Sequence, residues 1–224
     1  MNVVIFGATG MVGQGVLLEC LRDTSVERVL VIGRSSAGRE HAKLQEVLVP
    51  DLFDVASYAS ELTGLDACFF CLGISSAGMS EPAYRHLTYD LTTAIAGELA
   101  TRSPALCFVY VSGAGTDSTE RGRSMWARVK GATENALLAI PFRSAFMFRP
   151  GVIQPLDGIR SKTRAYRLGY VLMAPVLPLL RRAFPNSVST TREIGQAMLA
   201  VARNGWPRSV LETKDIHAAA TRKR

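Results

Sequence analysis

Three glycines near the start of the chain, Gly7, Gly10 and Gly13, have the spacing that most clearly indicates chemistry. They follow the apolar run 3–6, and apolar residues at helical spacing come directly after them in 16–21. In a dinucleotide-binding unit, the first glycine permits a tight turn, the second admits a pyrophosphate and the third lets the helix pack on the strand. We therefore predict a dinucleotide site here, and an ordinary strand–helix turn is the alternative. The predicted contacts in this loop are Gly7, Thr9, Gly10, Met11, Val12 and Gly13.

A second apolar run, residues 28–33, ends at Arg34 and Ser35. In dinucleotide folds the end of this strand faces the adenosine ribose, where a carboxylate accepts from the 2′-hydroxyl of NAD and a basic residue accommodates the 2′-phosphate of NADP. No carboxylate stands between this strand and Glu40. Arg34, with Ser35, therefore predicts NADP as the cofactor; NAD, with an ordinary surface arginine after a strand, is the alternative.

Two later positions should border the same ligand. Asp51 and Leu52 follow a short third strand (47–49) and are expected on the adenine side of the cofactor. For Asp51 the alternative is an aspartate that only stabilises a turn. Gly73 ends the fourth apolar strand (66–72). Ligands of open α/β sheets lie outside the carboxyl ends of the strands, so Gly73 is predicted to flank the cofactor.

The elements that must position these residues alternate between strand and helix over about 150 residues. This alternation predicts an α/β fold, a Rossmann-type doubly wound parallel sheet. One helix is predicted from about Glu81, with one face formed by Leu87, Leu91, Ile95 and Leu99. We expect a single domain in which 1–155 is the cofactor-binding core and 156–224 is a small C-terminal portion on the substrate side.

Within that C-terminal portion, residues 170–184 are apolar, helical in pattern and interrupted by two prolines. A stripe of Tyr166, Tyr170, Met173 and Leu177 is predicted to belong to the core or to line a pocket. If it is exposed, the same stripe could rest on a membrane surface.

With the glycine loop, Arg34, a fifth strand ending at Ser112 and a helix carrying Lys130, the chain resembles the short-chain dehydrogenase/reductase superfamily. It is most similar to the atypical or extended branch of NAD(P)-binding epimerase/dehydratase-like proteins. The resemblance covers residues 1–155 convincingly and the remainder loosely. The matching segments are Gly7-Ala8-Thr9-Gly10-Met11-Val12-Gly13, Val109-Tyr110-Val111-Ser112 and Arg149-Pro150-Gly151.

This resemblance implies roles for two further residues. In the superfamily, a tyrosine four residues before a lysine is the general acid/base, the lysine holds the nicotinamide ribose, and a strand-end serine orients the substrate carbonyl. The lysine and the serine correspond to Lys130 and Ser112; a solvated lysine and a plain turn serine are the alternatives. Trp126 occupies the tyrosine position. An indole N–H can donate a hydrogen bond but cannot transfer a proton near neutral pH.

Three hypotheses follow from Trp126. Another hydroxyl replaces the tyrosine, with Ser124, Tyr84 and Tyr110 as candidates. Alternatively the reaction needs no tyrosine, as in a reductase that passes hydride to a quinone, a flavin or an activated alkene. Or NADP binds without turnover, as in the NmrA-like regulators. We expect an NADP(H)-dependent oxidoreductase acting on a small apolar substrate; the alternative is a non-catalytic NADP-binding sensor or interaction partner.

The overall composition limits the other classes of function. The chain has 224 residues, 48% of them hydrophobic and 20% charged, which indicates a folded globular protein. Its net charge of +7 comes from scattered basic residues, so we expect no nucleic-acid partner. The late apolar stretch 168–180 is too short to span a bilayer, and no metal is expected because the histidines are isolated.

Four cysteines, Cys20, Cys68, Cys71 and Cys107, stand in apolar segments. The pair Cys68 and Cys71 has the spacing of a metal or redox motif, but in a strand these two side chains point to opposite faces. We expect four reduced thiols, no signal peptide and a cytoplasmic location.

Overall fold

Seven parallel strands form the main sheet of the computed structural model, which describes residues 1–159 and 187–222. The strands are β1 (Asn2–Phe6), β2 (Arg28–Gly33), β3 (Leu44–Leu48), β4 (Ala67–Phe70), β5 (Cys107–Val111), β6 (Ser144–Arg149), β7 (Val152–Gln154), β8 (Val188–Thr190) and β9 (Val210–Glu212). Their order in the main sheet is β3-β2-β1-β4-β5-β6-β9, while β7 and β8 form a separate parallel pair. The order reverses between β1 and β4, which is the topological switch point of a doubly wound fold. The predicted Rossmann-type α/β class is confirmed.

The helices are α1 (Met11–Arg22), α2 (Glu81–Arg85), α3 (Leu91–Arg102), α4 (Met125–Ala139), α5 (Thr191–Asn204) and α6 (Thr213–Thr221). A 3₁₀ helix covers Val55–Leu62, and a π-helical segment, His86–Asp90, joins α2 to α3. No described helix is long and apolar enough to cross a membrane.

Two apolar layers cover the two faces of the sheet because successive strand residues point to opposite sides. On β1, Val3 and Ile5 belong to the layer that includes α1 and α5, whereas Val4 and Phe6 belong to the layer that includes α3. All four of these side chains are fully buried. Complete burial of such a side chain stabilises the fold by about 1.5–3 kcal/mol, so strands that are apolar on both faces indicate a sheet covered on both sides.

The four thiols follow the same pattern. Cys68 packs in the layer with α3, and Cys71 packs against the layer with α1, so the two lie on opposite sides of the sheet. All four cysteines are free thiols. Burial raises the pKa of Cys20 and Cys68 well above the usual value and that of Cys71 to about 12.

The end of the chain joins the core of the domain. Helix α5 packs closely on α1, where a Cβ on Gly15 would come within 2.6 Å of the Thr191 carbonyl oxygen. Strand β9 lies beside β6 and extends the main sheet. Residues 187–222 thus join the same sheet and apolar core as residues 1–159. The predicted helix 170–184 and the stripe from Tyr166 to Leu177 lie outside the described residues. The division at residue 155 and a substrate-side portion stay predictions.

One predicted helical face differs from the structure. Leu91, Ile95 and Leu99 are buried, but Leu87 is 42% exposed. Leu87 lies in the π-helical segment, where the wider turn changes the angular position of each side chain. Four-residue spacing therefore predicts the buried face of α3 correctly but not the exposure of Leu87 in the π-helical segment.

Candidate functional site

The glycine loop is built from contacts that only glycine permits. Gly7 has φ +83°, and a Cβ there would lie 2.7 Å from the backbone of Cys71 and Leu72. A Cβ on Gly13 would come within 2.1 Å of the Gly7 carbonyl oxygen. The Gly10 amide donates to that same oxygen at 2.9 Å. The loop therefore brings the start of α1 directly against the end of β1.

The start of α1 is open to an anion. Its N-cap residue, Gly10, has no side chain, and the first turn contains no acidic residue. The first N–H groups of a helix have no partner within the helix and carry partial positive charge. The Gln14 side chain donates to the Thr9 carbonyl at 3.1 Å and helps to hold the loop in place. This arrangement fits a pyrophosphate.

A cavity of about 430 Å³ opens at the carboxyl ends of β1, β2, β4 and β5. It brings together most of the predicted site residues: Gly7, Thr9, Gly10, Met11, Val12, Arg34, Ser35, Leu52, Gly73, Ser112 and Lys130. Gly13 lies behind the loop and is buried. The cavity fits a dinucleotide for three reasons. The glycines of the loop have no Cβ that would block a ligand, the start of α1 can bind a pyrophosphate, and the cavity extends from Arg34 to Lys130.

Arg34 and Ser35 form one end of the cavity and are exposed to solvent. Within residues 1–159 and 187–222, no carboxylate pairs with Arg34. The nearby carboxylate of Glu46, on β3, accepts from Ser36 Oγ and from the Ala37 amide at 2.7 Å each. The loop after β2 is thus held by Glu46 and leaves the Arg34 guanidinium available to a ligand.

Asp51 and Leu52 differ in their placement. Leu52 is buried and lines the cavity. Asp51 is exposed, is not among the lining residues, and accepts from the Phe53 amide at 2.9 Å, as an aspartate in a turn does. An adenine contact by Asp51 stays a prediction.

Lys130 lies at the other end of the cavity, on α4. Its Nζ donates to the Ser112 carbonyl at 2.5 Å and reaches the Val111 carbonyl at 3.5 Å, so the lysine joins the helix to the end of β5. The amine lies 5.8 Å from the centre of the Tyr110 ring. Burial lowers the pKa of Lys130 to about 8, against an opposing effect of the Glu134 carboxylate.

The Ser112 hydroxyl is directed into the protein. It donates to Glu134 Oε1 at 2.5 Å and lies 3.1 Å from the Phe148 carbonyl oxygen. Glu134 is 1% exposed and forms a two-point ion pair with Arg149, whose guanidinium also donates to Ser118 Oγ. Because the Ser112 proton is held by a buried carboxylate, orientation of a substrate by this hydroxyl stays a prediction.

The Trp126 side chain is not among the cavity-lining residues. A Cβ on Gly115 would lie 3.4 Å from the Trp126 ring, so the indole packs against that glycine. The three candidate hydroxyls are not in the lining either: Tyr84 and Tyr110 are buried, and Ser124 is exposed at the start of α4. Burial also raises the pKa of Tyr110 far above neutrality.

Sequence reasoning missed Glu134 and Arg149 as members of this site. Glu134 lies one helical turn after Lys130, and an acidic residue on an otherwise buried helix face was a usable signal. Its partner Arg149 was recognised only as part of a turn motif. In the described ranges, no three His, Cys, Asp or Glu side chains are grouped to hold a metal ion.

Two solved structures with this fold are enzymes in complex with NAD. WbmF of Bordetella bronchiseptica, in complex with NAD+, superposes with a TM-score of 0.69 at 16% identity, over 97% of this chain and 76% of WbmF. The UDP-glucuronic acid 4-epimerase of Bacillus cereus, in complex with UDP-glucuronic acid and NAD, gives 0.66 at 13% identity, over 94% and 76%. These neighbours confirm the fold that the resemblance implied, an α/β domain with a parallel Rossmann-type sheet.

Curated relatives define the family more closely. The chain is 31% identical over 169 residues to the mitochondrial protein fmp52-1 of Aspergillus terreus, a match that covers 73% of this chain and 70% of that protein. Fmp52 of Emericella nidulans is 30% identical over 159 residues, and there the match covers 66% of the relative, just short of two thirds of its length. The chain belongs to the Fmp52 family. No protein-family model matches it.

These comparisons bear on the expected location and on the expected cofactor. The cytoplasmic location is wrong, because the curated relatives are named as mitochondrial proteins. Reduced cysteines exclude only oxidising compartments, so they could not distinguish the cytosol from the interior of a mitochondrion. The two solved complexes named above contain NAD, so the preference for NADP is left as a proposal.

Proposed function

We propose that the protein is an NADP(H)-dependent oxidoreductase of the atypical short-chain type. One observation carries the proposal: a single cavity is lined by the glycine loop, by Arg34 at one end and by Lys130 at the other. These are the groups that a phosphorylated dinucleotide needs along its length, namely free amides for the pyrophosphate and cations near its two riboses. When bound, the reduced nicotinamide supplies a hydride.

Each residue has a defined part in this proposal. The loop from Gly7 to Gly13 holds the pyrophosphate, Arg34 and Ser35 hold the 2′-phosphate, and Leu52 covers the adenine side. Gly73 borders the cofactor at the end of β4, and Lys130 holds the nicotinamide ribose.

The preference for NADP depends on Arg34. An exposed guanidinium without a carboxylate partner in the described part of the chain suits a phosphate, which Arg binds through two parallel hydrogen bonds. A site for NAD instead places a carboxylate at the ribose 2′-hydroxyl. The candidate carboxylate, Glu46, is occupied by Ser36 and the Ala37 amide.

Fluorescence titration of NADPH and NADH tests this assignment. Since charged hydrogen bonds contribute about 1.5–3 kcal/mol, Arg34→Ala should weaken NADPH binding roughly 10- to 100-fold. The same change should alter NADH binding less than about threefold, because NADH lacks the phosphate. Arg39→Ala is the matched control, since Arg39 is also exposed in the same loop region, and it should leave both affinities unchanged. Tighter binding of NADH by the unaltered protein would refute the role of Arg34.

The substrate end of the cavity supports a small apolar substrate. Besides Ser112 and Lys130, the lining near the ends of β4 and β5 consists of Gly73 and the apolar side chains of Cys71, Leu72, Ile74 and Val111. Ile74 is 40% exposed, which is a large exposure for an isoleucine beside a cavity. An apolar substrate would cover this side chain.

A second candidate is a sensor that binds NADP without turnover. The observations in its favour are the inward-directed Ser112 hydroxyl and the absence of Trp126 from the lining. Oxidation of NADPH in the presence of 9,10-phenanthrenequinone or 4-nitrobenzaldehyde separates the two candidates. Steady oxidation above the rate without a probe supports the oxidoreductase, whereas saturable NADPH binding with no oxidation supports the sensor.

A further inference from the structure

The cavity contains few groups that could exchange a proton with a substrate. Its described lining has three titratable side chains, Arg34, Cys71 and Lys130. An arginine stays protonated at any pH at which proteins are folded. Cys71 has a pKa of about 12 because it is buried. Ser112 lines the cavity too, but its hydroxyl proton is held by Glu134 at 2.5 Å.

Lys130 is the remaining group, and its geometry leaves one N–H free for a ligand. An ammonium has three N–H bonds. Two are directed at the carbonyls of Val111 and Ser112, and these hydrogen bonds fix Nζ at the end of β5. No hydrogen bond among the described residues uses the third, and Lys130 lines the cavity.

We propose that Lys130, whose free N–H contacts the nicotinamide ribose until a substrate binds, is the proton donor to the reduced substrate, in place of the tyrosine whose position Trp126 occupies. The proposal rests on the proposed oxidoreductase function. The substrate carbonyl carbon accepts a hydride from the reduced nicotinamide, and the π electron pair of its C=O bond moves to the oxygen. Lys130 donates a proton from Nζ to that oxygen, which completes the alcohol. The neutral amine then regains a proton from water.

The charged groups around Lys130 agree with this role. The ionisable side chains that face Lys130, or that contact a residue next to it, come from five elements. They are Glu134 on α4, Tyr110 on β5, Arg149 on β6, Cys71 after β4 and Tyr84 on α2. The pKa values of Cys71, Tyr110 and Arg149 are all raised, so these groups keep their protons near neutral pH. Burial acts on Lys130 in the opposite direction and brings its pKa to about 8. An acid with a pKa near the working pH is the most effective donor.

Kinetics and NADPH binding of Lys130→Arg test the proposal. Arginine keeps the charge and the donors but cannot release a proton. We expect NADPH affinity within about threefold of the unaltered protein, and a loss of at least 100-fold in kcat/KM for 9,10-phenanthrenequinone or 4-nitrobenzaldehyde, the range typical of general acids. In the unaltered protein kcat/KM should be level below about pH 8 and fall tenfold per pH unit above it, because only the ammonium form donates. Lys130→Met is the second variant if the arginine does not fit.

A measurement independent of activity uses protein labelled with ¹³C at the lysine Cε and NMR titration, which leaves all N–H bonds in place. One lysine Cε signal should titrate near pH 8 and be missing from both Lys130 variants. Turnover retained by Lys130→Arg, or no such signal below about pH 9.5, overturns the proton-donor role while the oxidoreductase function stands. NADPH binding without reduction of either probe overturns both. Failure of NADPH to bind overturns the cofactor assignment and everything that rests on it.

Discussion

Glu134 connects the residues at the Lys130 end of the cavity. Its carboxylate accepts from Ser112 and Arg149, and it lies one turn after Lys130 on the same helix. Glu134 is 1% exposed and the Arg149 side chain 12%, so the charge of each depends on the other. Without Glu134, the remaining carboxylate partner of Arg149 in the described residues would be the half-exposed Glu212 at 3.5 Å, so most of the compensation for this buried charge would be lost.

Glu134→Gln should therefore lower the free energy of unfolding by about 3–5 kcal/mol, the cost of breaking a buried pair. Glu98→Gln is the matched control. Glu98 pairs with Arg102 at 2.5 Å, but both side chains are more than one third exposed. Such a surface pair contributes about 0–1 kcal/mol. Urea unfolding measures the free energy of unfolding of both variants. An equal loss of stability in Glu134→Gln and Glu98→Gln would contradict the burial of the pair between Glu134 and Arg149.

At this scale the sequence predicts single residues better than their partners. Arg34 follows from its position after a strand and Lys130 from the family resemblance, and both line the cavity. The pair of Glu134 with Arg149 depends on α4 packing beside β6, and no local pattern in either residue's neighbourhood predicts it.

At the scale of elements, the contact between β1 and α1 places the strictest requirement on residue type. The missing Cβ of Gly13 permits an approach that any other residue would block, since the obstructing atoms belong to the backbone of Gly7 and Ala8. Backbone atoms cannot relieve such a clash by rotating to another rotamer, as a flexible side chain can. The glycine spacing thus predicts this junction from the sequence alone.

Gly13→Ala should move the start of α1 and weaken NADPH binding by more than about tenfold, because the amides of the first turn would no longer point to the pyrophosphate. Gly97→Ala is the matched control within a helix. Gly97 lies in α3, is exposed, and has no atom within 4 Å of the added Cβ. That change should raise stability by about 0.4–1 kcal/mol and leave binding unaltered. Calorimetric titration with thermal unfolding measures both, and normal NADPH affinity in Gly13→Ala would contradict the proposed pyrophosphate site.

Helix faces are less predictable than junctions. The apolar spacing correctly places Leu91, Ile95 and Leu99 in the core, but Leu87 is exposed. The π-helical segment His86–Asp90 changes the register there, and periodicity assumes a regular helix.

At the scale of the whole molecule, the two ends of the chain meet in one core. Asp23 at the end of α1 pairs with Arg203 of α5 at 2.7 Å, and Gly195 approaches Glu19. The strand and helix alternation predicts the sheet itself. It does not predict that residues 187–222 return to α1 and β6, because that return depends on contacts between distant parts of the chain.

The central claim is that NADPH lies in the cavity between the glycine loop and Lys130. Amide hydrogen exchange with and without saturating NADPH, read by mass spectrometry, tests it most directly. Peptides that contain 7–15, 31–36 and 71–75 should exchange more slowly with NADPH, while α6, which contributes no residue to the cavity, should show no change. Bound NADPH with unchanged exchange in 7–15 would contradict the account.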